Sequence, residues 1–201
     1  MKAQLPKLLI YSRFIIGCTI ILLSGIRIDN YKAVAIILLT AGLLTDIFDG
    51  IIARKLGVST QKMRRLDSTV DQFFFIAVAI ATYIQCPSFF SGNAIKLSIL
   101  LGTEALTYIV CFLKFRKEIA THSIGAKIST LLLFATLVEV ILQCQSVLLF
   151  SICFWIGIIT RIEIIAIILT LKKWTNDVPS IYHSIKLRQN KEIRRHKLFN
   201  G

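Results

Sequence analysis

Asp46, Asp49, Gly50, Ala53 and Arg54 stand at i, i+3, i+4, i+7 and i+8 within the stretch DIFDGIIARKLGVSTQKMRRLDSTVD, which runs from Asp46 to Asp71. That spacing lines one face of an α-helix. Thirteen residues past Arg54, Asp67 and Asp71 stand four apart, again on one helical face. Two helices meeting in a hairpin therefore aim four carboxylates into one space. Such a quartet repels itself unless a cation lies among its members. All-oxygen ligation suits hard divalent ions, Mg²⁺ or Mn²⁺, rather than zinc. A metal beside an arginine is the equipment of phosphoryl transfer, where both stabilise charge building on equatorial oxygens. Two metals roughly 3.5–4 Å apart clamp the attacking and leaving oxygens together. Gly50 and Ala53 are small enough for a ligand to lie against the backbone, with Arg54 beyond them to meet an anion. The plainer alternative for any one of these aspartates is a helix cap in a solvated loop.

The elements that must position these residues are apolar. Of 201 residues, 55% are hydrophobic, and the mean hydropathy is +0.72. That is too apolar for a soluble domain of this length, and runs near the spanning length recur. The runs cover about 8–25, 31–48, 66–85, 94–115, 124–144 and 147–171, followed by a polar tail, 172–201. The expected fold is all-α: a polytopic membrane protein with six transmembrane helices in one bundle, forming a single domain over 1–201. The second run delivers Asp46 and Asp49 at its end, and the third holds Asp67 and Asp71 in its first turns. The quartet therefore belongs at or just inside one membrane face. Residues 86–93, with Pro87, Ser88, Ser91 and Gly92, read as a turn. The basic start and first apolar run look superficially like a signal peptide, but no small-residue cleavage site follows and the run is long enough to span.

Charge orients the helices. The net charge of +13 would suit nucleic acid, but basic residues beside spanning helices more often face anionic lipid headgroups. With six spans, one side receives Lys2, Lys7, Arg13, Arg54, Lys55, Lys62, Arg64, Arg65, Lys114, Arg116, Lys117, Lys127 and the eight basic residues of the tail. The other side receives only Arg27, Lys32 and Lys96. The excess puts both termini and the Asp46–Asp71 hairpin on the cytoplasmic side. Ile181 to Lys197 mixes apolar and basic residues and reads as a topogenic anchor or a helix lying along the headgroups.

Some charge falls at membrane depth. Arg13 interrupts the first run, either snorkelling to the interface or lining a polar cavity. Glu104, Glu139, Arg161 and Glu163 lie in later runs. Glu104 and Arg161 are both roughly 15 Å from the cytoplasmic ends of their helices at 1.5 Å per residue. They can pair, or Arg161 can serve as a phosphate ligand in an acceptor pocket. Carboxylates spread along a path would instead describe a small ion-coupled transporter or channel, for which Glu104 and Glu139 are the support. Five cysteines, Cys18, Cys86, Cys111, Cys144 and Cys153, form no CxxC pair. Their odd number and apolar settings argue for small buried fillers rather than a disulfide framework or zinc site. His122, His183 and His196 are isolated in polar surroundings and are assigned no catalysis.

The stretch resembles the signature of the CDP-alcohol phosphatidyltransferase family, D-x2-D-G-x2-A-R-x8-G-x3-D-x3-D. Asp46, Asp49, Gly50, Ala53, Arg54, Asp67 and Asp71 match in register, while the second glycine falls on Met63. If the third helix already runs there, Met63 projects towards the site. An altered donor, a shifted backbone or an inactive family member are the readings this departure leaves open. The resemblance implies phospholipid biosynthesis: metal-dependent transfer of a phosphatidyl group from a CDP-linked lipid, typically CDP-diacylglycerol, to an acceptor alcohol, with release of CMP. It implies Asp46, Asp49, Asp67 and Asp71 as ligands of Mg²⁺ or Mn²⁺, with Asp71 also the general base. Asp49, Gly50, Ala53, Arg54 and Thr60 would cradle the nucleotide. The family often carries an arginine near position 13, which implies a phosphate-facing Arg13. A homodimer in membrane lipid, with no nucleic acid partner, is the implied assembly. The words KKWTNDVPSIYHSIKLRQ are similar to the ends of some bacterial members, which implies a bacterial cytoplasmic membrane. The acceptor stays open, since glycerol phosphate, inositol phosphate, serine and other lipids all serve within the family.

Overall fold

A computed structural model describes residues 4–26, 28–58, 60–117, 119, 123–175 and 178–191. Its helices in chain order are α1 (Leu5–Gly25), α2 (Tyr31–Lys55), α3 (Gln61–Gln85), α4 (Pro87–Gly92), α5 (Ala94–Phe115), α6 (Ile124–Gln143), α7 (Leu148–Thr170) and α8 (Ile181–Arg188). No strand occurs among the described residues. Six helices, α1, α2, α3, α5, α6 and α7, are long and apolar enough to cross a membrane, as the six runs predict. Large apolar side chains such as Leu8, Leu22, Ile37, Leu101 and Leu148 stay exposed, the composition a lipid-facing surface requires.

The chain forms two compact units, one of Met1–Gly92 with Leu137–Ser146 and one of Asn93–Thr136 with Val147–Gly201. The first holds the aspartate hairpin. α1 buries Pro6, Ile10, Arg13, Gly17, Ile20 and Ser24, a stripe at three- and four-residue steps. Small residues let its helices approach closely. A Cβ on Gly17 would stand 3.2 Å from Phe73 Cε1 and 3.4 Å from Ala77 Cβ, and one on Gly42 would run into the Phe74 ring. α3 is thus seated against both α1 and α2 through glycines.

Helix ends differ from the run boundaries where polar chemistry takes over. α2 continues past its apolar run to Lys55, with Arg54 and Lys55 in the last turn facing the negative end of the helix dipole. Gly57 then adopts φ +66°, a left-handed stop that costs glycine nothing. α3 starts earlier than hydropathy indicates because Thr60 caps it, accepting a hydrogen bond from the Met63 N–H at 3.2 Å. The turn expected at 86–93 is instead the short helix α4, with Pro87 in its first position, where the missing N–H goes unused.

The cysteine expectation needs correction. Cys86, the C-cap of α3, and Cys144, just past α6, form a disulfide. Sequence spacing missed it because pairing depends on which helix ends meet, and 58 residues separate these two. Cys18, Cys111 and Cys153 are free, the last two buried as fillers. In the second unit, Cys111 packs with Ile164 and Ile168, and Ile167 with Leu171 and Val178. Of the basic segment Ile181–Lys197, α8 forms the first part; residues 192–201, and with them His196, lie outside the described residues, as does His122.

Candidate active site

Arg13 lies at the centre of the aspartate quartet. Its Nη1 is 3.2 Å from Asp46 Oδ1 and 3.2 Å from Asp67 Oδ1, and also pairs with Asp71 Oδ1. Its Nη2 pairs with Asp49 Oδ2. The two positions contributed by α2 and the two by α3 therefore converge, as their i, i+3 and i, i+4 spacings predict. Arg13 is 1% exposed and the Asp49 side chain 3%, whereas Asp46, Asp67 and Asp71 keep 34%, 22% and 28%. The site has a buried wall and an open side from which a ligand can reach three carboxylates. Charges this deep are tolerable only when paired, and here each is.

Asp46, Asp49 and Asp67 each offer one carboxylate oxygen, all within 4.8 Å of one another. Three converging hard oxygen donors fit a divalent ion of the magnesium class. Asp71 falls outside that trio and joins the group through Arg13. Arg13, which the sequence leaves open to snorkelling, to lining a polar cavity or to facing a phosphate, is buried here among the protein's own carboxylates. Nothing in its sequence position signals this beyond one fact: Arg13 stands in register with Ile10 and Gly17 on the buried stripe.

The remaining hairpin residues divide by what their side chains touch. A Cβ on Gly50 would stand 3.3 Å from Arg54 Nη1, so the Arg54 side chain lies back along the bare Gly50 backbone. Arg54 Nε is buried with no hydrogen-bond partner, a donor in want of an acceptor. Ala53 is 3% exposed in an apolar cluster with Ile10, Met63 and Val70, flanked by Val58 and Leu66. Met63, at 7% exposure, is therefore absorbed by packing. The Thr60 hydroxyl is engaged as the α3 cap.

Within the second unit Arg161 pairs with Glu104, the arrangement their depths allow. The alternative duty of Arg161 towards phosphate would require giving up that pair. Glu139 accepts a hydrogen bond from the Ser146 hydroxyl at 2.5 Å. The two acids that supported a transport path are thus both engaged by neighbours.

The model of the CDP-alcohol phosphatidyltransferase family matches residues 3–171. The chain is 31% identical over 178 residues to the CDP-diacylglycerol–glycerol-3-phosphate 3-phosphatidyltransferase of Aquifex aeolicus (strain VF5), a match covering 86% of this chain and 93% of the relative. No solved structure matches it.

Proposed function

The chain belongs to the CDP-alcohol phosphatidyltransferase family, and from that membership in phospholipid synthesis we propose that it transfers the phosphatidyl group of CDP-diacylglycerol to glycerol 3-phosphate, releasing CMP. The observation that carries the reaction is the convergence of Asp46, Asp49, Asp67 and Asp71 on one point. The acceptor rests on the Aquifex relative, whose name gives glycerol 3-phosphate as its acceptor.

Asp46, Asp49 and Asp67, with Asp71 beside them, would hold Mg²⁺ or Mn²⁺, and the ion would supply positive charge to a bound pyrophosphate. Arg54, with its unpartnered Nε, meets the same anion, and the bare Gly50 backbone lets the nucleotide approach. Ala53 packs the same helix against Ile10, Met63 and Val70, and Thr60 fixes the start of α3. Asp71 accepts the proton of the acceptor hydroxyl. A bond forms between that oxygen and the lipid-side phosphorus, while the bond from the phosphorus to the CMP oxygen breaks and CMP departs with the electron pair. α2 and α3, seated through Gly42 on Phe74, hold the parts in line.

We infer that the hairpin and both termini lie on the cytoplasmic face of a bacterial membrane. The basic excess on that side supports this, as does the Cys86–Cys144 disulfide at the far ends of α3 and α6, since disulfides persist in oxidising compartments. The protein would act as a homodimer, as the family resemblance implies.

The test is purified protein in detergent with Mg²⁺, CDP-diacylglycerol and a panel of glycerol 3-phosphate, inositol phosphate and serine, with products read by mass. Phosphatidylglycerophosphate and CMP are expected. A product with another alcohol while glycerol 3-phosphate stays untouched would overturn the acceptor, and no CMP from any would overturn the reaction.

A further inference from the structure

A structural ion pair needs one carboxylate, and an arginine kept for phosphate needs its terminal nitrogens free. Arg13 matches neither pattern. Its two terminal nitrogens reach all four carboxylates of the quartet, two from α2 and two from α3. A guanidinium cannot lose its charge, and its planar fork can serve several oxygens at once. Asp46, Asp49 and Asp67, whose oxygens lie within 4.8 Å of one another, are all among its partners. The charge-assisted N–H···O bonds that Arg13 donates to Asp49 and Asp67 occupy lone pairs that a metal would use, and two cations at such range repel.

We infer that Arg13 is a built-in counter-ion: it holds the four carboxylates together, and it competes with the divalent cation for their oxygens. The inference rests on the reading of the quartet as the metal site. Arg13 is thus a positioning residue, acting through the aspartates. Its removal has two effects of opposite sign. Without metal, the quartet loses a contacting cation and the fold loosens. With metal, the competitor is gone and binding tightens. A merely structural arginine predicts one sign for both, because a loosened site binds metal less well. A phosphate ligand predicts unchanged metal binding.

The experiment titrates Mn²⁺ into the purified full-length protein in detergent, reading free Mn²⁺ by electron paramagnetic resonance, and measures thermal unfolding in EDTA. For Arg13→Gln the unfolding temperature in EDTA should fall, while the half-saturating Mn²⁺ concentration should drop roughly tenfold, a modest share of what a unit charge at this range can exert. Arg13→Lys keeps the charge but has only one nitrogen to spread over four carboxylates, so both shifts should be smaller and in the same directions. Unchanged or weaker Mn²⁺ binding in Arg13→Gln overturns the inference. Should Arg13→Gln fail to fold, Arg13→Lys decides: tighter binding than the parent supports it, equal or weaker binding overturns it. A parent that binds Mn²⁺ while its variants do not tighten refutes the counter-ion alone; a parent that binds none refutes the metal reading and the counter-ion with it.

Discussion

Asp71 is the proton acceptor of the proposed reaction and stands apart from the trio whose oxygens cluster. Asp71→Asn should therefore cut turnover by roughly 10²–10⁴-fold, the usual share of a general base, while CMP still raises the thermal unfolding temperature in Mg²⁺. A variant turning over at the parental rate would defeat the assignment. Arg54→Gln should raise KM for the CDP-lipid by roughly tenfold or more, since a hydrogen bond between charged groups is worth about 1.5–3 kcal/mol; an unchanged KM would remove Arg54 from the nucleotide site. At this scale the aspartates were legible because helical spacing alone puts each pair on one face. The partners of Arg13 were not, because an arginine in an apolar run reads alike whether it snorkels or lines a cavity. Met63 was only half legible for a related reason. One turn before Asp67 it reads as facing the site, and its packing against Ile10 of α1 and Ala53 of α2, both distant in sequence, could not be read from that spacing.

Between helices, the quartet depends on how closely α2 and α3 approach. A Cβ on Gly42 would run into the Phe74 ring, so Gly42→Ala should destabilise the protein by about 1–3 kcal/mol, as overpacking does. The same substitution should lower kcat by separating Asp46 and Asp49 from Asp67 and Asp71. Adding Phe74→Leu should restore part of both; if activity falls without any change in stability, the helix seat is not what Gly42 provides. Met63→Ala should cost about 2–4 kcal/mol by leaving a cavity in the Ile10–Ala53–Val70 cluster. Hydropathy revealed that six helices exist but not where they end. Arg54, Lys55 and the Thr60 cap extend helix into polar sequence, where the apolar signal is silent. The Cys86–Cys144 bridge was equally hidden, since it records a meeting of helix ends and no local pattern.

For the whole molecule, composition and charge asymmetry already separated a multi-pass membrane protein from a nucleic-acid binder, and the signature separated an enzyme from a transporter. The sidedness of the site is the part that calls for measurement in intact cells. A membrane-impermeant phosphine followed by an impermeant maleimide should label Cys86 and Cys144 from outside, whereas Lys62→Cys should label only after permeabilisation; external labelling of position 62 would invert the topology. The central claim, that the aspartate quartet performs metal-dependent phosphatidyl transfer, is tested most directly by CMP release from CDP-diacylglycerol and glycerol 3-phosphate. With purified parent protein, release should vanish in EDTA, return with excess Mg²⁺, and be lost in Asp67→Asn while the variant keeps its folded thermal transition. Release at the parental rate in EDTA, or from Asp67→Asn, would contradict the account.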